Sequence, residues 1–233
     1  MIETDPPGPP GRMTLARVLR LVVLWVLAVS LAHALDGWAH GALAFEGAEG
    51  ADWGRALRVL GYVPVWVAVA LVLWVEDGPR LRAGRPAHLV DRWSRGAIVL
   101  GSALMAGALA ELGKLLLRRE RPPDAGRWDG VYSFKAFGDN GWSTGGIGLP
   151  SSHAAVAMGG ALAIAALWPR HRWWALALGA GCAFQRVSAG AHFVSDVAAA
   201  ALVAAFAAAI VWRAHWWLLR RRVFGGRAAG DRG

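Results

Sequence analysis

The stretch QRVSAGAHFVSD, residues 185–196, joins two strongly apolar runs at about 172–187 and 192–213. Its three ionisable residues are Arg186, His192 and Asp196. A charged side chain at membrane depth is costly, and such residues commonly mark a functional site. The stretch therefore predicts a membrane fold in which the adjoining ends of two helices carry a polar site.

The composition of the whole chain also indicates a membrane protein. Of its 233 residues, 56% are hydrophobic and only 18% are charged, which is more apolar than an ordinary soluble domain. Six apolar runs approach the roughly 20 residues that a helix needs to cross the hydrocarbon layer. They are residues 15–35, 57–75, 96–117, 152–169, 172–187 and 192–213. The sequence therefore predicts an all-α fold, a polytopic membrane helical bundle of about six transmembrane helices.

The same pattern divides the chain into three parts. We expect a disordered cytoplasmic N-terminus at 1–14, a six-helix transmembrane domain at 15–217 and a basic cytoplasmic tail at 218–233. The first apolar run also allows a second interpretation. It follows basic residues and ends in Ala32-His33-Ala34, a pattern that resembles the cleavage site of a signal peptide.

The distribution of basic residues predicts the orientation in the membrane. The formal charge is +9, but no basic face with stacking aromatics is evident, so we expect no nucleic-acid partner. With the N-terminus inside the cell, well over half of the lysines and arginines fall on the cytoplasmic side. Tryptophans near the proposed cytoplasmic ends suggest an interfacial belt, comprising Trp74, Trp93, Trp168, Trp173, Trp174, Trp212, Trp216 and Trp217. Both termini are therefore expected in the cytoplasm.

Counting spans along the chain brings four ionisable residues to one membrane face. Lys114 lies near the outer end of the third run, and His153 begins the fourth. Arg186 ends the fifth run, and His192 begins the sixth. Since successive helices alternate in direction, the sequence predicts an active site at the outer face, towards the periplasm.

His192 and Asp196 are four residues apart at the expected start of a helix, so their side chains can touch. A carboxylate bonded to one imidazole nitrogen selects the tautomer and leaves the other nitrogen as a nucleophile or base. The alternative is structural, with Asp196 stabilising the helix N-terminus and His192 buried with its hydrogen bonds satisfied. Taken by itself, the pair does not decide between these interpretations.

Two cations are expected to point at the same end of the bundle. Lys114 and Arg121 are seven residues apart, and Pro122 turns the chain out of helical geometry after Arg121. Arg118 and Arg119, between them, are interpreted as side chains that reach for the membrane interface.

The segment Pro150-Ser151-Ser152-His153 precedes a clean apolar helix. A serine is a good helix N-cap, and the free N–H groups of a first helical turn can hold an anion. His153 would then lie beside that anion. Capping alone is the structural alternative.

Together these residues suit phosphoryl chemistry. Cations and oriented N–H groups stabilise a phosphoryl transition state, while one histidine attacks phosphorus and another protonates the leaving oxygen. Two histidines and an aspartate can also bind a metal. Lys114, Arg121 and Arg186 would repel a divalent ion, so we expect no metal at this site.

The chain carries three motifs in order: Lys114-x6-Arg121-Pro122, Pro150-Ser151-Ser152-His153 and Arg186-x5-His192-x3-Asp196. They resemble the three-part signature of the type 2 phosphatidic acid phosphatase superfamily, which is K-x6-R-P, P-S-G-H and S-R-x5-H-x3-D. Order and internal spacing agree in all three parts. The chain departs from the signature at Ser152, where the family usually has glycine, and at Gln185, where it usually has serine.

The resemblance implies a role for each matching residue. His192 would be the nucleophile that forms a phosphohistidine, Asp196 its orienting partner, and His153 the general acid. The phosphate clamp would comprise Lys114, Arg121, Ser151, Ser152 and Arg186. The resemblance implies no metal and no organic cofactor for this reaction.

The membrane setting predicts the substrate class. We expect a lipid phosphate or diphosphate, hydrolysed by a protein of the bacterial inner membrane, with the polar segment 122–149 acting as a lid or head-group loop. In that loop, Trp128, Tyr132, Lys135 and Trp142 are candidates for substrate contact or for interfacial packing.

A lipid phosphotransferase and a non-catalytic lipid-binding or transport protein are the alternatives to this function. A haloperoxidase is disfavoured, because six spans in a short chain suit membrane lipids.

Overall fold

In the computed structural model, residues 14–82, 94–124, 127–138 and 141–225 are described. They form seven α-helices and one turn of 3₁₀ helix at Pro169–His171. The α-helices are α1 Leu15–Leu43, α2 Asp52–Val59, α3 Val63–Arg82, α4 Ser94–Leu117, α5 Ser152–Leu167, α6 Arg172–Ser188 and α7 Val194–Gly225. Two isolated bridges are the only β-type pairing in these ranges. The prediction of an all-helical fold is therefore confirmed.

Each of the six predicted apolar runs is helical, but the helices differ in length. Three of them, α1, α4 and α7, are long and apolar enough to cross a membrane. Helices α2 and α3 meet at a bend of 63° and would make a fourth crossing if they act as one span. Helix α5 has 16 residues and α6 has 17, which is shorter than the roughly 20 residues of a typical crossing. The number of six spans therefore stays a prediction.

Some sequence expectations fall at the edges of the described ranges. Residues 1–13, the final segment 226–233 and Trp93 lie outside them. Helix α7 continues to Gly225, so the expected boundary at 217 falls within a helix. Of the proposed interfacial tryptophans, Trp173, Trp174 and Trp217 are exposed. Trp216 is buried, while Trp168 and Trp212 pack against the core.

Helix α5 lies at the centre of the bundle and packs against α4, α6 and α7. Most of its residues are alanine or glycine, and small residues allow helices to approach closely. An added Cβ at Gly159 would lie 2.6 Å from the carbonyl oxygen of Ser102 on α4. At Gly160 it would lie 2.3 Å from the ring of Trp66 on α3. The absence of side chains at these two positions therefore brings the neighbouring helices into contact with α5.

The segment between α4 and α5 folds back across the end of the bundle. Arg118 is buried within it and donates hydrogen bonds to the carbonyl oxygens of Lys135 at 3.0 Å and Gly141 at 3.1 Å. The interpretation of Arg118 as an interfacial side chain is therefore wrong. Its guanidinium instead satisfies backbone carbonyls that have no helix or sheet partner.

Replacing Gly159 by alanine should destabilise the bundle. The new methyl group would meet the backbone of α4, which cannot yield as a flexible side chain can, at a cost of about 1–3 kcal/mol. Gly41→Ala is the matched control, because an added Cβ there meets nothing within 4 Å. Thermal unfolding in detergent should give a lower Tm for Gly159→Ala and an unchanged or higher Tm for Gly41→Ala. Equal Tm values for both variants would contradict this packing.

Candidate functional site

The structure brings all eight predicted site residues to one end of the helix bundle. Lys114, Arg186 and His192 lie close enough to His153 for their charges to act on its ring. Arg121 acts in the same way on Arg186 and His192. The remaining three are joined by contacts. Asp196 bonds His192, the Ser151 N–H donates to the Asp196 carbonyl at 3.2 Å, and Ser152 shares a carboxylate partner with Lys114.

His192 and Asp196 form the buried pair that their spacing predicts. Nδ1 of His192 lies 3.3 Å from Oδ2 of Asp196, and both side chains are buried. His192 precedes α7, and the same carboxylate oxygen accepts the N–H of Phe193 at 2.9 Å. The pair therefore forms across the start of the helix. Because Nδ1 faces the carboxylate, Nε2 is the nitrogen left for a substrate.

The protonation state of His192 follows from its surroundings. Burial lowers the pKa of the His192 ring below its ordinary value, while the Asp196 carboxylate acts in the opposite direction. The net direction favours the neutral imidazole near neutral pH. The neutral form is the one that can act as a nucleophile through Nε2.

Arg119 is a member of the site that the sequence interpretation missed. It was expected at the membrane interface, but its side chain is only 2% exposed. Its Nη2 donates to Oδ1 of Asp196 and to Oγ of Ser195, each at 2.6 Å. The expectation is therefore wrong, because Arg119 turns inward to neutralise a buried carboxylate.

Helix α1 completes this network through a second buried acid, Asp36. Its carboxylate accepts hydrogen bonds from the Ser195 N–H at 2.8 Å, the Ser195 hydroxyl at 2.5 Å and the Tyr132 hydroxyl at 2.8 Å. Nη1 of Arg119 also lies 3.1 Å from Nε2 of His33. An acidic residue directly after an apolar run was the signal in the sequence that could have identified Asp36.

Three of the four loop residues that were candidates for substrate contact or interfacial packing have partners within the protein, namely Trp128, Tyr132 and Lys135. Burial, followed by the hydrogen bond to Asp36, raises the pKa of Tyr132, so its hydroxyl stays protonated and donates. The ring of Trp128 lies 4.8 Å from that of Phe193. Nζ of Lys135 donates to the carbonyl of Gly145 at 2.6 Å, and Trp142 is 89% exposed. Of the four, only Trp142 points freely outward.

On the other side of His153, Glu111 organises two members of the expected phosphate clamp. Its Oε1 lies 2.9 Å from Nζ of Lys114 and also accepts the hydroxyl of Ser152. Glu111 and Lys114 are three residues apart on α4, a spacing at which side chains of one helix meet. The hydroxyl of Ser152, which departs from the family signature, therefore has a specific partner on α4.

Ser151 is the N-cap of α5, as its position before the apolar run predicts. Its Oγ accepts the N–H of Ala154, and its own side chain is buried. His153 lies in the first turn of this helix, and the charges of Lys114 and Arg186 act on its ring. This end of α5 therefore combines helix-dipole charge with cationic side chains, an arrangement that suits an anion.

Arg186 and His153 have free hydrogen-bonding capacity, and Arg121 lies beside a cavity. Nε of Arg186 and Nε2 of His153 are buried and have no hydrogen-bond partner within the described ranges. Arg121 borders an open cavity of about 530 Å³ that is also lined by Trp128 and Tyr132. Buried donors without acceptors, as in Arg186 and His153, are suited to bind an anionic ligand.

Across the part of the chain that the structure describes, no group of three or more histidine, cysteine, aspartate or glutamate side chains could hold a metal ion. The two histidines of the site instead face Lys114, Arg121 and Arg186. Such a constellation can bind a phosphate, offer a neutral imidazole to its phosphorus and supply a second imidazole for proton transfer.

The long apolar helices of the bundle fit a membrane protein. A family model described as the PAP2 superfamily matches residues 95–220, which contain all three motifs and more than half of the chain. The chain belongs to the PAP2 superfamily, as its motifs predict. A search of curated proteins and a search of solved structures each returned no match.

Replacing Arg119 by alanine should strongly destabilise the fold. The substitution leaves the Asp196 carboxylate buried without its cation, which costs about 3–5 kcal/mol. Arg127→Ala is the matched control on the same loop, because its pair with Asp124 is exposed at 3.3 Å. The free energy of unfolding should fall for Arg119→Ala and stay within about 0.5 kcal/mol of wild type for Arg127→Ala. Similar free energies of unfolding for the two variants would show that the buried pair of Arg119 and Asp196 does not contribute to stability.

Proposed function

We propose that this protein is a membrane-bound phosphatase that hydrolyses a lipid phosphate or diphosphate monoester through a phosphohistidine intermediate. The observation that carries the proposal is the orientation of His192. Its Nδ1 lies 3.3 Å from the Asp196 carboxylate, so Nε2 remains available for a substrate. Lys114, Arg121 and Arg186 make the surroundings of the two histidines positive. Membership of a phosphoesterase superfamily supports the same reaction class.

In the first step, Nε2 of His192 attacks the phosphorus of the bound ester. A nitrogen–phosphorus bond forms, and the bond from phosphorus to the ester oxygen breaks. The negative charge of the bound phosphate offsets the cations around His153 and favours its protonated form, which donates a proton to the departing oxygen. Lys114, Arg121 and Arg186, with the N–H groups at the start of α5, hold the oxygens of the transferred group.

In the second step, water attacks the phosphorus of the phosphohistidine. His153, now neutral, accepts a proton from that water, and the nitrogen–phosphorus bond breaks to release phosphate. Asp196 holds the His192 ring through both steps. Arg119 keeps Asp196 ionised and in place through its 2.6 Å contact, so it acts as a positioning residue.

The lipid nature of the substrate is supported by the surroundings of the site. The site lies at the end of a bundle whose helices α1, α4 and α7 are suited to a membrane. Lipid tails can stay in the bilayer while the phosphate reaches the bundle end. The excess of basic residues elsewhere supports an outer, periplasmic location for that end in a bacterial inner membrane.

His192→Ala should abolish phosphate release while the protein stays folded. Loss of the nucleophile should lower kcat by at least about 10⁴-fold. His171→Ala, on the exposed 3₁₀ turn, is the matched control and should keep full activity. The measurement is inorganic phosphate released in detergent from a phosphatidate, a phosphatidylglycerol phosphate, a prenyl diphosphate and a lipid A phosphate. Full activity in His192→Ala would exclude this mechanism, and transfer to an added acceptor in place of release would identify a transferase.

If His153 is the general acid, the loss of activity in His153→Ala should depend on the leaving group of the substrate. An alkoxide needs a proton to depart, so loss of His153 should slow hydrolysis of an alkyl phosphate about 10²–10⁴-fold. The p-nitrophenolate that leaves from p-nitrophenyl phosphate is stable without a proton. The kcat for that substrate should therefore fall much less in His153→Ala. An equal loss of kcat for both substrates would assign His153 a purely structural role.

A further inference from the structure

Residues in the last turn of α2 and directly after it surround part of His153. Gly61 packs so tightly that an added Cβ would lie 2.7 Å from the Cβ of His153. The Tyr62 ring stands edge-on to the His153 ring, with 4.9 Å between the ring centroids. Arg58, in the last turn of α2, lies close enough for its charge to act on His153 and Arg186. None of these three α2-side residues belongs to the three motifs.

Arg58 and Arg186 share one carboxylate. Oε1 of Glu49 lies 2.5 Å from Nη1 of Arg58 and 3.8 Å from Nη1 of Arg186, so the two nitrogens are at most about 6.3 Å apart. Two guanidinium groups this close repel each other unless an anion lies between them. Glu49 supplies that anion, and its side chain is half exposed, so a ligand could displace it.

Several buried donors of this region have no acceptor in the part of the chain that the structure describes. Nε of Arg58, Nε of Arg186 and Nε2 of Gln185 are all buried and find no hydrogen-bond partner among the residues that the structure describes. Buried donors without acceptors are rare and unfavourable in folded proteins. A phosphate, with several acceptor oxygens, can satisfy more of these donors than the single Glu49 carboxylate does.

We propose that Arg58 forms a second anion subsite beside His153, with Arg186 shared between this subsite and the one for the transferred group, and that the subsite takes the non-transferred phosphate of a lipid diphosphate in place of Glu49. The inference rests on the proposed function, in which His153 protonates the leaving group. Groups that surround His153 from α2 therefore lie on the leaving-group side. Arg58 is then the residue that favours a diphosphate over a monophosphate.

The chemistry of a diphosphate fits this arrangement. His192 attacks the terminal phosphorus, and the bond from that phosphorus to the bridging oxygen breaks. The leaving group is a lipid monophosphate, whose phosphate lies beside His153 and Arg58 and takes up the proton. Water then releases inorganic phosphate from His192. A monophosphate substrate has no group for the Arg58 subsite, which Glu49 would continue to fill.

The test compares Arg58→Gln with Arg55→Gln on a matched pair of substrates. Arg55 lies one turn earlier on α2, pairs with Asp52 at 2.6 Å and is exposed, so its loss removes the same charge without touching the site. The substrates are farnesyl diphosphate and farnesyl monophosphate, measured by kcat/KM in detergent. Wild type should prefer the diphosphate, and Arg58→Gln should lower that preference about 10- to 100-fold. Arg55→Gln should leave it unchanged.

Equal losses on both substrates in Arg58→Gln, or no change in the preference, would overturn the subsite. Glu49→Gln provides an independent variant, with Asp52→Asn as its exposed control. Removing the competing carboxylate should lower KM for the diphosphate about two- to fivefold and leave KM for the monophosphate unchanged. A raised KM for the diphosphate would contradict the assignment of Glu49 as the displaced anion.

A binding measurement separates this inference from the proposed function. Inorganic pyrophosphate should raise the Tm of wild type and of Arg55→Gln more than inorganic phosphate does, and this difference should vanish in Arg58→Gln. If wild type hydrolyses neither farnesyl ester but still shows the Arg58-dependent shift, the phosphatase function fails and the subsite stands. If both esters are hydrolysed and the shift does not depend on Arg58, the subsite fails and the phosphatase function stands.

Discussion

The carboxylate of Asp196 is the group on which the site depends. It is fully buried and accepts from Arg119 through one oxygen and from His192 and the Phe193 N–H through the other. A buried charge is tolerated only when its partners replace the water that it has lost. The requirement to satisfy this one carboxylate therefore ties the start of α7 to the loop after α4, and it orients the His192 ring as a consequence.

The same requirement extends the site beyond the region that the family model matches. Asp36 on α1 lies outside residues 95–220, yet it accepts both the N–H and the hydroxyl of Ser195, the residue next to Asp196. Arg119 bonds the same hydroxyl. Helix α1, whose apolar side chains are largely exposed and suited to lipid, is therefore joined to the bundle end by a polar network as well as by packing.

Charge compensation explains how so many cations coexist at one end of an apolar bundle. Arg119 pairs with Asp196, Lys114 with Glu111, and Arg58 with Glu49, each at 2.5–2.9 Å. These pairs offset much of the repulsion between the cations. Arg186 has only a 3.8 Å contact with Glu49, which already pairs with Arg58, and together with Arg121 it leaves the centre of the site positive. A bound phosphate supplies the missing negative charge. The proposed phosphatase function and the second anion subsite both follow from this residual imbalance.

The sequence by itself determined the helices and the local pairs of the site. Apolar runs predict helices because the pattern is continuous along the chain, and the spacings of His192 with Asp196 and Glu111 with Lys114 predict contacts within one or two turns. It did not predict that Arg119 binds Asp196, 77 positions away, or that Asp36 binds Ser195, 159 positions away. Those contacts depend on which helix ends meet, and on whether an arginine turns towards lipid or towards a buried carboxylate. Only the tertiary structure decides them, because the free energy of a buried charge is set by neighbours in space and not by neighbours along the chain.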